Sequence, residues 1–177
     1  NQLYYNDSIS AAKQLLDIWE KTGQREGDYY ACQYNYYYNQ AVKSTITLTV
    51  ELPLYAYNTN YFTLQDTING GNAGYMYEGY IIVDSLLLDS AFHWINKGIN
   101  ECPNRLDLYF GLATSYLYCD QIDEMIETLE NVMKQERKNK GKWLWTNDEK
   151  LPKSADALYS RIACSSHSYC LKKSSDA

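Results

Sequence analysis

Tyr75-x2-Glu78-Gly79-x2-Ile82 and Tyr109-x2-Leu112-Ala113-x2-Tyr116 share one spacing, 34 positions apart from 75 to 109. The offset continues past both stretches: Ala91, Ile95 and Gly98 fall opposite Met125, Leu129 and Val132, and Pro103 closes the first copy. Small or aromatic residues at helical spacing, recurring at such a period, mark a helix-turn-helix unit whose two helices approach closely at the small positions. The spacing therefore predicts helices at Ala73 to about Leu88 and Ser90 to about Asn100 as one pair. Asn104 to Tyr118 and Asp120 to about Asn139 form the next, the latter with a buried stripe of Ile122, Met125, Ile126, Leu129, Val132 and Met133.

The pattern resembles the tetratricopeptide repeat, W-x2-L-G-x2-Y…A-x3-F…P. Tyr stands for Trp in both copies, Glu78 takes the Leu slot of the first, and Arg137 falls where the second Pro would lie. The resemblance implies an all-α fold, a right-handed α-α superhelix of about three helical hairpins, in a single domain spanning 1–177. It also implies an interaction scaffold without catalysis, holding a peptide or a partner protein in a Tyr-rich concave groove. In such repeats the first helix of each hairpin lines the groove, and its motif slots are spent on packing. That leaves Tyr77 and Tyr80 in one first helix and Phe110 and Tyr118 in the next as expected binding residues, with Tyr34 and Tyr38 extending the stripe. A glycan or small molecule is the alternative ligand. Aromatic faces would stack on sugar rings while Asn and Asp meet hydroxyls, as the Tyr- and Asn-rich segment Leu54–Tyr61 suggests. An open groove with Asn or Lys at its walls favours a peptide, and rings converging on a compact pocket favour a glycan.

Outside the repeated region, Asp7 and Ser8 precede an apolar series of Ile9, Ala12, Leu15, Leu16 and Trp19, an amphipathic helix expected to stop near Thr22-Gly23. Glu26 to about Ser44 holds no breaker after Gly27 and bears aromatics on nearly every face, as a helix contacted from two sides does. Thr45 to Leu52 alternates polar and apolar residues and reads either as a strand or as a continuation of that helix; the repeat period favours the helix. Pro53 to Gly74 reads as a long loop, so that 45–72 forms an insertion or loop with an Asn69-Gly70-Gly71-Asn72 turn. Trp143 and Trp145 are expected to cover a hydrophobic edge. A seventh helix is expected from Ser154 to about His167, opening a further unit, with a polar tail over 171–177.

With 16 Lys+Arg against 22 Asp+Glu, the chain's long-range field opposes binding to nucleic acid and anionic membranes. Lys134, Arg137, Lys138, Lys140 and Lys142 lie late in or just after a helix, where cations meet the negative end of its dipole. Asp120, Asp123, Glu124, Glu127 and Glu130 read as a solvated helical face. No run of about 18 apolar residues suggests a membrane span. Five cysteines, an odd number at irregular spacing, point to free thiols. Location is left open, with the cytoplasm favoured and an exported or lipoprotein origin standing if a leader preceded Asn1. Cys164, His167 and Cys170 would converge on a metal only if their helix broke. His93 reads as a packing or surface residue, and no phosphate loop or nucleophile elbow is present. No cofactor, metal or catalytic residue is expected. Tyrosine is in surplus, 19 against 3 Phe, which suits helix packing and recognition surfaces alike.

Overall fold

A computed structural model of the chain describes residues 9–53, 61–139, 142–150 and 160. In order come helices α1 (Ile9–Thr22) and α2 (Gly27–Ala41), and strands β1 (Val42–Thr49), β2 (Tyr61–Gln65) and β3 (Asn72–Val83). Helices α3 (Ser85–Glu101), α4 (Leu106–Tyr118) and α5 (Ile122–Asn139) follow, then a short 3-10 turn at Thr146–Asp148. The strands form one antiparallel sheet in the order β1-β3-β2. The fold is thus mixed α/β, and the all-α superhelix of helical repeats expected from the 34-residue offset is incorrect. Most of the segment expected as the helix Ala73–Leu88 is strand β3, and Ser44 to Thr49 belongs to β1 rather than to a continued helix.

Period two decides these segments. Thr45, Thr47 and Thr49 alternate with Ile46 and Leu48, and Tyr75 and Tyr77 with Met76, so branched and aromatic side chains fill a pleated surface that a helix would crowd. In register, Thr47 lies opposite Tyr77 and Thr49 opposite Tyr75 on one side; Tyr61 and Thr63 pair with the same two tyrosines from the other. Gly79 lets β1 approach, since a Cβ there would collide with the hydroxyls of Thr47 and Thr45. The return turn is held by Asp66, whose carboxylate accepts from the amides of Ile68 and Asn69 at 2.8 and 3.1 Å, ahead of left-handed Gly70 and Gly71.

The sheet leaves the helices and returns to them at one point. Val42 follows Ala41 directly, pairs with Val83, and the Asp84 amide donates to the Ala41 carbonyl at 2.8 Å. Asp84 then caps α3, its carboxylate accepting from Leu86 N and Leu87 N at 3.1 Å each. With the neck closed, α2 and α3 pack on each other as the most extensive helix pair. Gly98 is the point of closest approach: a Cβ there would sit 2.6 Å from Cβ of Tyr30. Tyr34 joins Ala91, Ile95, Leu108 and Leu112 in the central core. Beyond it, α4 packs on α5 through Ala113, Met125 and Leu129, and Leu106, Tyr109 and Val132 enclose Trp143.

The offset of 34 therefore does mark the buried faces of α3 and α5, where Ala91, Ile95, Gly98, Met125, Leu129 and Val132 are all buried. What it misplaces is the partner of α3, which is α2 across the inserted sheet. Helix α1 ends at Gly23 with φ of 74°, as its sequence indicates. The capping pair Asp7-Ser8, the expected seventh helix apart from Ser160, and the tail lie outside the described residues. Gly98→Leu should lower stability by about 1–3 kcal/mol through overpacking against Tyr30, and Ala113→Leu by a similar amount, both read as reduced melting temperature in thermal denaturation.

Candidate functional site

Helices α3, α4 and α5 enclose a groove. One part, of about 220 Å³, is lined by Asn96, Ile99, Tyr109, Leu112, Tyr116 and the α5 residues Glu124, Glu127, Thr128 and Asn131. A second part, of about 480 Å³, shares Ile99, Tyr109 and Asn131 and continues past Asn100 and Pro103 to Lys134, Gln135 and Lys138. The apolar residues of the lining, its floor, are Ile99 on α3 and Tyr109, Leu112 and Tyr116 on α4. The walls are amides, with Asn96 and Asn100 one turn apart on α3 and Asn131 facing them from α5. Charge changes sign along α5, from Glu124 and Glu127 at one end to Lys134 and Lys138 at the other; all four are exposed. Tyr116 stacks at a tilt on Phe92, with centroids 4.8 Å apart, and burial raises the phenols of Tyr109 and Tyr116 above their usual range.

The floor is set by a buried ion cluster at the start of α4. Arg105 is 1% exposed. Its guanidinium donates through Nε and Nη2 to both carboxylate oxygens of Asp107, at 2.9 and 2.8 Å, a bidentate fork. Nη2 also donates to Asp28 at 2.7 Å and Nη1 to Asp148 at 3.3 Å. Burial alone would depress the guanidinium, but the bonds to Asp107 and Asp28 outweigh it and leave its pKa raised. The Asp28 carboxylate accepts in turn from the amide of Asn147 at 3.2 Å, and Leu144 exchanges backbone bonds with Asn104 and Leu106. Gly27 at the start of α2 is required because a Cβ would strike the guanidinium. One side chain thus joins the beginnings of α2 and α4 to the segment that follows α5.

Of the five tyrosines and one phenylalanine expected to bind, those whose side chains are described do not share a surface. Tyr34 is buried in the core, where its hydroxyl bonds Ser115 and reaches the Gly111 carbonyl at 3.3 Å. Tyr38 stacks on Tyr34 with centroids 5.2 Å apart and is half-buried; burial pushes its phenol up to about 12, with that of Tyr34 shifted further in the same direction. Tyr77 is buried in the sheet, and Phe110 packs between α5 and Trp145. Tyr118 is half exposed near Tyr38. The side chain of Tyr80 lies outside the described residues, as does most of Leu54–Tyr61. Trp143 is buried on Tyr109, its indole donating to Glu136, so it covers a hydrophobic edge as expected. His93 is exposed and meets Trp94 edge-on.

The groove residues were written in the sequence as a stripe rather than a motif. Positions 124, 127, 128, 131, 134, 135 and 138 recur at three and four along one face of α5, but as charged, amide and hydroxyl residues they read as a solvated face.

Among the described residues, no three of His, Cys, Asp and Glu group to hold a metal ion, and no helix is long and apolar enough to cross a membrane. Cys164, His167 and Cys170 lie outside them. Comparison of the chain with protein families, curated proteins and solved structures returns no match.

Removing Arg105 leaves the part-buried carboxylates of Asp28 and Asp107 without a counterion, so Arg105→Ala should cost about 3 kcal/mol, the lower end for a broken buried pair. Arg105→Lys should recover little of it, because an ammonium cannot form the fork; urea denaturation of both variants measures this. The phenols carry a pH dependence of known sign. Tyr34 and Tyr38 have folded-state pKa values above the ordinary 10, so the unfolded chain loses those protons first. Their contribution is complete below pH 10 and is lost as pH rises from there through about 12. Melting temperature should fall over that window, and less steeply in Tyr34→Phe/Tyr38→Phe.

Proposed function

We propose that the chain is a binding module, not a catalyst, and that the groove between α3, α4 and α5 takes an extended peptide segment of a partner protein. The observation that carries this is the continuity of an apolar floor with asparagine walls. A side-chain amide both donates and accepts, which matches the alternating groups of a peptide backbone. Ile99 of α3, only partly buried, offers apolar contact to a side chain pointing inward. From Glu124 to Lys138 the groove runs roughly 21 Å at the helical rise, room for about six residues of extended chain.

The glycan reading draws less support from this geometry. Stacking needs ring faces turned to solvent, and here Tyr109 is buried while Tyr116 is engaged by Phe92. The change of sign along α5 further selects a peptide with acidic residues over Lys134 and Lys138 and basic residues over Glu124 and Glu127.

Panning a random heptapeptide phage library tests both points. Selected peptides should carry opposite charges at their two ends, and Asn96→Ala/Asn131→Ala should weaken their binding about tenfold or more while melting as the parent does. Selection of peptides that bind this variant as well as the parent, or of none at all, would place recognition elsewhere.

A further inference from the structure

We propose that the wide end of the groove, between the last turn of α3 and the second half of α5, is a binding site for a phosphoryl group. The source of that group is a phosphorylated side chain of the bound segment, which alone rests on the peptide reading. This part of the groove, about 480 Å³, is lined by Asn100, Asn131, Lys134, Gln135 and Lys138 beside apolar residues, and by no carboxylate. The absence is local, since Asp and Glu outnumber Lys and Arg in the chain by 22 to 16. Asn100, Asn131, Gln135 and Lys138 have no side-chain hydrogen bond or ion pair among the described residues, and Lys134 has only Glu130, at 3.5 Å. Glu136, on the same helix, accepts from the Trp143 indole instead.

The helix dipole accounts for only part of this arrangement. Arg137 and Lys138 stand in the last turn of α5, where cations are favoured, but Lys134 lies before it. Lysines four apart on one helix face repel each other, and an anion held between Lys134 and Lys138 relieves that repulsion. Charge and acceptor number select which anion. A phosphate monoester carries about -1.5 to -2 charges at pH 7 and three strong acceptor oxygens, which suits two ammonium groups and three amides. A carboxylate brings one charge and two oxygens. Lysine serves a phosphate as a point charge, without the fixed fork of arginine. A nucleic-acid backbone is the poorer occupant, since the chain's net charge of -6 repels a polyanion while one phosphoryl group meets only the local field. Ile99, Tyr109 and Asn131 line both parts of the groove, so the phosphorylated residue would stand at one end of the segment, away from Glu124 and Glu127.

Nuclear magnetic resonance titration with inorganic phosphate, at an ionic strength held constant with chloride, reads the site directly. The side-chain amide signals of Asn100, Asn131 and Gln135 should shift and saturate. Lys134→Met/Lys138→Met should weaken this binding about tenfold or more, whereas Arg137→Met/Lys142→Met, which removes the same charge outside the lining, should bind as the parent does. A heptapeptide selected on the groove should in turn bind about tenfold tighter when the residue over Lys134 and Lys138 is phosphoserine in place of serine. Saturable phosphate binding without that gain keeps the site, assigns it to a free phosphate ester and removes the peptide as its source. Amides that phosphate does not shift, or equal weakening in the two double variants, overturn the site and leave the peptide reading to its own selection.

Discussion

A guanidinium withdrawn from water keeps its charge and needs partners that offset its lost hydration, and Arg105 has Asp28, Asp107 and Asp148 around it. The three come from distant parts of the chain, so satisfying one buried cation requires α2, α4 and the segment after α5 to arrive together. Their geometry is specific: the Asp107 fork orients the guanidinium, Gly27 leaves room for it, and left-handed backbone at Asn147 and Asp148 turns the last segment inward. Apolar residues of similar volume could have supplied as much stability. What the cluster adds is registry among three elements that local sequence does not link.

That registry matters because the chain interrupts its own helical core. A sheet stands between α2 and α3 in sequence, yet the two helices pack as though adjacent, since the antiparallel pairing of Val42 with Val83 closes the excursion where it began. Closing a long loop costs only slightly more than closing a short one. The helix pair tolerates the insertion as long as the neck is tight, and the Asp84 amide bonded to Ala41 makes it so.

This explains how much was legible. Caps, breakers and apolar stripes placed α1, α2, α4 and α5 closely, because each signal is local. The buried slots on α3 and α5 were also visible, since close helix packing demands small or apolar residues at fixed spacing. The first Tyr75-x2-Glu78-Gly79 copy was a coincidence of composition: in a chain this rich in tyrosine, ring spacing alone does not separate a strand from a helix. The alternation at Thr45 to Leu52 carried the correct answer and was outweighed by the assumption that repeated halves are contiguous. For the groove, the missing information was three-dimensional. Asn96, Asn100 and Asn131 are ordinary surface residues until α3 and α5 are set on either side of α4.

The tyrosine surplus finds its use in that arrangement. The Tyr29 hydroxyl accepts from Gln33 within α2, while Tyr34 bonds Ser115 of α4 and Tyr109 reaches the Pro103 carbonyl at 3.3 Å, so buried rings supply apolar area while the hydroxyls of the latter two tie α4 to its neighbours. Phe would fill the same volume without the directional bond. Two of these contacts end on or next to α4, which Arg105 already holds at its first turn and the Gln121 amide at its last, donating to the Tyr116 carbonyl at 2.9 Å. The groove floor is therefore fixed from both ends and from beneath, before any ligand arrives. For the peptide binding we propose, a rigid floor would lower the ordering cost and leave discrimination to the exposed amides and charges of the walls.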